Sequence, residues 1–174
     1  GLGGGVYNYF ATLILNNSTV NNNTASKTGY GGGGGGIFND GTATLNNSTI
    51  SGNIHSGIYN SNSLTVNNST ISSNMIGNGV GSDTGGGIGT FGGTVTLKNT
   101  IVARNSASTA PDCSGSVTST SYNLIGNNSG CTFTATTGDQ VGTNVSPINP
   151  LLSPLQDNSG PTFTHALLTG SPAI

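Results

Sequence analysis

A nine-residue phrase, written four times along the chain, is the feature that most restricts the fold. LNNSTISGN at 45–53 and VNNSTISSN at 66–74 are near copies, and looser copies stand at 15–23 and 97–105. The intervals between their first residues are 30, 21 and 31 residues. Such recurrence is typical of a solenoid, in which each repeat buries its apolar face only against its neighbours.

Glycine-led phrases alternate with the Asn-led ones, as in GGGIFN at 34–39 and SGIYN at 56–60. The apolar residue of each glycine-led phrase is followed, eight or nine positions later, by the first residue of the next Asn-led phrase. A unit of about 21 residues explains this spacing if two insertions are allowed. Both insertions are rich in Gly and Ser, and we expect them to form loops near 24–33 and 75–84.

Short segments within each unit alternate between apolar and polar residues. In TATLNN, Ala43 and Leu45 point one way while Thr42 and Thr44 point the other, and SLTVNN and TVTLKN repeat the pattern. This period of two indicates strands, and the prevalence of Gly, Asn, Thr and Ser argues against helices. The sequence therefore predicts an all-β solenoid with strands stacked about 4.8 Å apart.

Asparagine recurs at two places in successive copies, and we expect both columns to be structural ladders. A side-chain amide carries a donor and an acceptor, so stacked amides can bond to the copies above and below. Asn also tolerates the left-handed backbone that corners require. The predicted ladder residues are Asn17, Asn47, Asn68 and Asn99 in one column and Asn23, Asn53, Asn74 and Asn105 in the other. Their neighbours Asn16, Asn46 and Asn67 are expected to point outward, where they are the better placed glycan acceptors.

Units of the form GGGIYN…LTLNNSTISGN resemble the right-handed parallel β-helix repeats of large bacterial secreted and surface proteins. The C-terminal third, with DCSG, SYNLIGNNSGC and PLLSPLQDNSGPTFTHALLTGSPAI, is similar to the closing segment of the choice-of-anchor Q group. The resemblance implies a right-handed, single-stranded parallel β-helix that belongs to a longer bacterial polypeptide. We expect one domain, with regular coils over 1–110 and irregular C-terminal coils and a closing segment over 111–174.

Composition excludes several classes of function. The net charge is −2, and the three basic residues, Lys27, Lys98 and Arg104, are too few to neutralise a nucleic-acid backbone. No apolar run approaches the roughly 18 to 20 residues of a membrane helix, so membrane insertion is not expected. The glycine run at 29–36 lacks the Lys-Ser/Thr pair of a phosphate-binding loop, and no cofactor is predicted.

Two cysteines, Cys113 and Cys131, lie 18 positions apart between turn residues. No further Cys or nearby His offers the other ligands of a metal site, which favours a disulfide over two free thiols. A disulfide would place the protein outside the cytoplasm, secreted or at the cell surface.

The acidic residues form no catalytic pattern. Glycoside hydrolases need paired carboxyl groups, and lyases of this fold need clustered acids with a basic residue. No two of the acids occupy neighbouring positions in adjacent coils; they are Asp40, Asp83, Asp112, Asp139 and Asp157. Asp112 is expected to be a solvated turn acid. His55 and His165 have no second ligand at metal-binding spacing, although a serine triad around either remains open.

These observations favour a non-catalytic structural or adhesive element of an extracellular or cell-surface assembly. The expected partners are a glycan or matrix ligand at the inserted loops and another copy stacked end to end, since an open solenoid end presents unpaired backbone groups. One alternative is a carbohydrate-active β-helix of the polysaccharide lyase or hydrolase type. A second is ice binding through an outward T-x-T face made by Thr42, Thr44, Ser63, Thr65, Thr94 and Thr96.

Overall fold

The chain is built from short strands. A computed structural model describes residues 3–25, 33–77 and 85–174, where the chain forms strands, turns and bends and no helix. Those ranges accordingly contain no helical segment with the length and hydropathy of a membrane span. Lys27, Asp83 and most of both predicted insertions lie outside the described residues.

Fourteen strands occupy the described ranges. They are β1 (Val6–Asn16), β2 (Thr19–Asn21), β3 (Ile37–Asn46), β4 (Thr49–Ser51), β5 (Ile58–Asn60), β6 (Ser63–Asn67), β7 (Thr70–Ser72), β8 (Ile88–Thr90), β9 (Thr94–Lys98), β10 (Ile101–Ala103), β11 (Cys113–Ser121), β12 (Leu124–Ile125), β13 (Cys131–Thr134) and β14 (Gln140–Val141). Every pairing between them is parallel.

The strands form three stacks. The first stack joins the N-terminal parts of β1 and β3 to β5, β8 and the start of β11. The second joins the C-terminal parts of β1 and β3 to β6, β9, the rest of β11 and β13. The third contains β2, β4, β7, β10, β12 and β14. The predicted all-β class and parallel stacking are confirmed.

Register places apolar residues above apolar residues at each level. In the third stack Ile50 pairs with Ile71, which pairs with Val102, and in the second stack Leu45 pairs with Val66. These side chains are fully buried. Each contributes about 1.5 to 3 kcal/mol of burial free energy, and stacking gives every short repeat a core that it could not form alone.

Residues 143–174, hereafter the C-terminal strap, fold back along the third stack. Two antiparallel bridges, Leu152 with Leu167 and Gln156 with Thr164, fold the strap onto itself. The Thr19 hydroxyl donates to the Phe163 carbonyl at 2.7 Å, which fixes the strap to β2. The strap therefore lies against one face of the stacked repeats.

Candidate functional site

The second predicted Asn column is a hydrogen-bonded ladder that is buried except at its half-buried first residue, Asn23. Asn23 Nδ2 donates to Asn53 Oδ1 at 3.1 Å, and Asn53 Nδ2 donates to Asn74 Oδ1 at 2.9 Å. Asn74 Nδ2 in turn donates to Asn105 Oδ1 at 2.9 Å. The column therefore joins four successive levels at the bend that follows the third stack.

Asp112 ends this column, so our prediction of a solvated turn acid was wrong. Its side chain is 3% exposed. Oδ1 accepts from the backbone and the side-chain amide of Asn105 at 3.0 and 2.9 Å, and Oδ2 accepts from the Asn127 backbone at 2.7 Å. Burial raises the pKa of Asp112, and these hydrogen bonds oppose the rise. A carboxylate suits the end of an amide column because it only accepts.

The first predicted column is not a ladder of this kind. Its members are exposed, have φ values between 46 and 49°, and include one amide-to-amide bond, from Asn99 to Asn68 at 2.9 Å; they are Asn17, Asn47, Asn68 and Asn99. The left-handed backbone turns these side chains outward, and serine occupies the buried corner, where Ser48 N–H donates to Ser69 Oγ at 3.0 Å. The outward neighbours are also bonded, Asn46 to Asn16 and Asn67 to Asn46.

Sequence reasoning missed a third amide column. Asn8 Nδ2 donates to Asn39 Oδ1, and Asn39 Nδ2 donates to Asn60 Oδ1, both at 2.7 Å. All three side chains are buried. A signal was present, because each residue ends a glycine-led phrase at the same position.

The outer face of the second stack carries aligned hydroxyl groups. Register places Thr42, Ser63 and Thr94 in one column and Thr44, Thr65, Thr96, Thr118 and Thr134 in the next. The second column thus extends past the predicted residues, and Ile14 occupies its N-terminal level. The side chains are exposed or half-buried. Together they form a regular polar surface.

The first stack carries a column of aromatic rings. The ring centroids of Tyr7 and Phe38 are 5.1 Å apart, those of Phe38 and Tyr59 are 5.0 Å apart, and those of Tyr59 and Phe91 are 4.3 Å apart. Because the rings stack on one another, their faces are largely used within the column. Its main role is therefore to hold successive levels together.

The corner after the third stack has one residue with positive φ in each of four repeats. They are Asn22 at 55°, Gly52 at 67°, Ser73 at 61° and Arg104 at 61°. Asn and Gly adopt this conformation readily, whereas a residue such as Arg pays about 1 to 2 kcal/mol for it. All four line a cleft of about 330 Å³ between this corner and the C-terminal strap.

The strap forms the opposite wall of the cleft. His165 Nε2 lies 2.9 Å from Ser51 Oγ, and Nδ1 lies 2.7 Å from the Ser153 carbonyl oxygen. In the neutral imidazole, Nδ1 carries the proton because a carbonyl only accepts, and Nε2 accepts from Ser51. This order matches a serine and its general base. Ser51 is 3% exposed, and this hydrogen bond ties the strap to β4.

The described acids lie outside the cleft lining. Asp40 accepts from the Ser61 hydroxyl at 3.0 Å, and Asp157 accepts from the Ser159 backbone at 2.8 Å. Burial acts to raise the pKa of Asp139, but hydrogen bonds to its carboxylate outweigh it and lower that pKa. In the ranges that the structure covers, no three His, Cys, Asp or Glu side chains are grouped to hold a metal ion.

Cys113 and Cys131 form the predicted disulfide, with Cα atoms 5.4 Å apart. Cys113 begins β11 and Cys131 begins β13, so the bond links two successive levels.

No family model matches the chain, and neither a curated protein nor a solved structure matches it. Functional inference therefore depends on the geometry of the chain itself.

Proposed function

We propose that this protein is a right-handed parallel β-helix that serves as a structural and adhesive element of an extracellular or cell-surface assembly. Each repeat adds a parallel strand to each stack. A connection between parallel strands of one sheet is right-handed in about 98% of cases, which supports the handedness. The disulfide suits an oxidising environment outside the cytoplasm.

The register of the outward side chains is the observation that carries this function. Hydroxyl groups recur at the strand spacing of about 4.8 Å on one face, and the aromatic column, with Tyr7 and Phe91 partly exposed, lies on another. Two internal amide columns and the disulfide hold these faces in place. A rigid, nearly uncharged surface with a regular repeat suits a partner that is itself repetitive, such as a glycan.

Adhesion is tested by applying the purified full chain to glycan arrays and to immobilised matrix proteins. We expect saturable binding to a subset of glycans. Binding should disappear after thermal unfolding, since it requires the folded register. If the chain binds specifically neither to the glycan arrays nor to the matrix proteins, the adhesive part of the proposal is refuted.

End-to-end association is a further part of the proposal. Among the described residues, β1 and β2 pair on one side only, with β3 and β4, and their other edges can receive a strand. Size-exclusion chromatography with negative-stain electron microscopy should show filaments that lengthen with concentration. A monomer without fibres at millimolar concentration would rule out self-stacking.

Ice binding is the second candidate, favoured by the two hydroxyl columns. It predicts that the protein inhibits ice recrystallisation and that Thr65→Lys, at the centre of the face, abolishes the inhibition. Asn62→Lys adds the same charge at an exposed turn and should retain it. Unimpeded ice growth with the unmodified chain would eliminate this candidate.

The lyase or hydrolase alternative has weaker support, because no described acid lines the cleft.

A further inference from the structure

Arg104 stands at a corner position where the three preceding repeats have Asn22, Gly52 and Ser73. Gly and Asn suit a left-handed backbone, whereas Ser and Arg do not. Arg104 is nevertheless exposed, and its guanidinium is held in place because Nη1 donates to the Leu152 carbonyl of the strap at 2.9 Å. The fold thus keeps an unfavourable residue where its charge meets the cleft.

The cleft favours an anion. Among the residues that the structure describes, Arg104 is the one always-charged residue in the cleft lining, and none of the described acids lines it. One of five guanidinium N–H groups binds Leu152, which leaves an adjacent pair to bind both oxygens of a carboxylate.

The remaining lining suits a sugar ring. Phe163 is 53% exposed and presents an apolar surface, and Leu155 also lines the cleft. On the opposite wall, Asn22 and Ser73 supply amide and hydroxyl groups that can bond to sugar hydroxyls. A volume of about 330 Å³ is at the lower end of small-molecule sites and accommodates one or two sugar units.

We infer that this cleft binds a carboxylate-bearing sugar, with Arg104 recognising the carboxylate and Phe163 contacting the ring. The inference rests on the proposed adhesive function and names a ligand class for it. It also explains why Arg occupies a position that other repeats assign to turn-forming residues.

Isothermal titration calorimetry of the full chain tests the inference with glucuronic acid, galacturonic acid and their short oligomers, and with glucose and galactose as neutral counterparts. We expect the acidic sugars to bind at least tenfold more tightly than the neutral ones. Arg104→Asn, which copies Asn22 of the first repeat, should weaken acidic-sugar binding at least tenfold without lowering the melting temperature. Arg104→Lys keeps the positive charge but lacks the paired N–H donors of the guanidinium, so it should give an intermediate loss of affinity.

Lys98→Asn is the matched control, because it removes an exposed cation from the second stack and should leave binding unchanged. Equal affinity for acidic and neutral sugars, or full binding by Arg104→Asn, would overturn the inference. Glycan-array binding without acidic-sugar binding would overturn the cleft assignment while leaving the adhesive proposal intact. Failure on every glycan and matrix surface would reject both.

Discussion

The two Asn columns that look alike in the sequence behave differently in the fold. Asn53 and Asn74 face inward and form a ladder, whereas Asn47 and Asn68 face solvent at corners with φ of 49°. The difference shows that an Asn repeat has two separate structural uses. In one the amide is a buried connector, and in the other the residue supplies a left-handed backbone.

The energetic contrast follows from what replaces a lost hydrogen bond. Asn74 Nδ2 also donates to the Ile50 and Ser72 carbonyls at 2.9 and 3.2 Å, in a region closed to water. The amide of Asn68 is exposed, so water can replace its bond to Asn99. Substitution should therefore destabilise the first column far less than the second.

The largest effect is expected for Asn74→Ala. This change leaves several buried groups unpaired, including the backbone N–H of Asn53, which donates to Asn74 Oδ1. At about 1 to 3 kcal/mol for each unpaired group, we expect a loss of about 3 to 4 kcal/mol in the free energy of unfolding. Urea denaturation measures it, with Asn67→Ala as the outward-facing control. A loss below about 1 kcal/mol would show that the ladder is not a major source of stability.

Removing the disulfide should have the next largest effect. It closes a loop of 18 residues directly after Asp112, where the buried column ends. The double variant Cys113→Ala/Cys131→Ala should lose about 3 kcal/mol of unfolding free energy, because the unfolded chain gains loop entropy. Reductant should lower the urea midpoint of the unmodified chain and leave that of the variant unchanged. Equal sensitivity of both proteins to reductant would contradict this account.

Two acids extend the comparison to pH. The pKa of Asp112 is raised from 3.8, so its contribution to stability is complete below that value and is lost as pH rises through the folded pKa. The pKa of Asp139 is lowered, so its contribution is present above 3.8 and is lost as pH falls through the folded pKa. The urea midpoint, measured at a series of pH values between about 2.5 and 6, reports the contributions of both residues.

Asp112→Asn should remove the loss of stability that occurs as pH rises. Asp139→Asn should remove the loss of stability that occurs as pH falls. At neutral pH, Asp112→Asn should also cost about 1 to 2 kcal/mol, because the column end loses an acceptor for the Asn127 N–H or the Asn105 amide. Parallel pH profiles for both variants and the unmodified chain would refute the assigned roles.

The smallest effect is expected for Asn68→Gly, which keeps the left-handed backbone and removes an exposed amide. We expect a change within about 0.5 kcal/mol, whereas Asn68→Ala should cost about 1 kcal/mol or more because Ala disfavours positive φ. Thermal melting of the two variants separates backbone preference from side-chain bonding. If Asn68→Gly lost more stability than Asn68→Ala, the exposed amide itself would be shown to stabilise the fold as part of a ladder.

Sequence reasoning located the strands well and the inward side chains less well. The alternation at Ala43 and Leu45 correctly predicted which residues of β3 face the core. The same reasoning put Asn47 in a ladder because the letters NNS do not show that the serine, and not the second Asn, occupies the buried corner. It also treated Asp112 as solvated, since its main partner Asn105 lies on the previous level and one hydrogen bond comes from Asn127 of a later one.

The sequence by itself determined the repeat of about 21 residues, the parallel stacking and the disulfide. The repeat and the stacking follow from periodicity, because like residues can meet only if successive repeats pair in register. The disulfide follows from the presence of two cysteines without further metal ligands nearby. The tertiary structure decided which amides are buried and created the cleft, whose walls come from Gly52 and Arg104 on one side and Phe163 on the other. The strap that carries Phe163 has no repeat, and its position depends on single contacts between distant residues, such as His165 with Ser51.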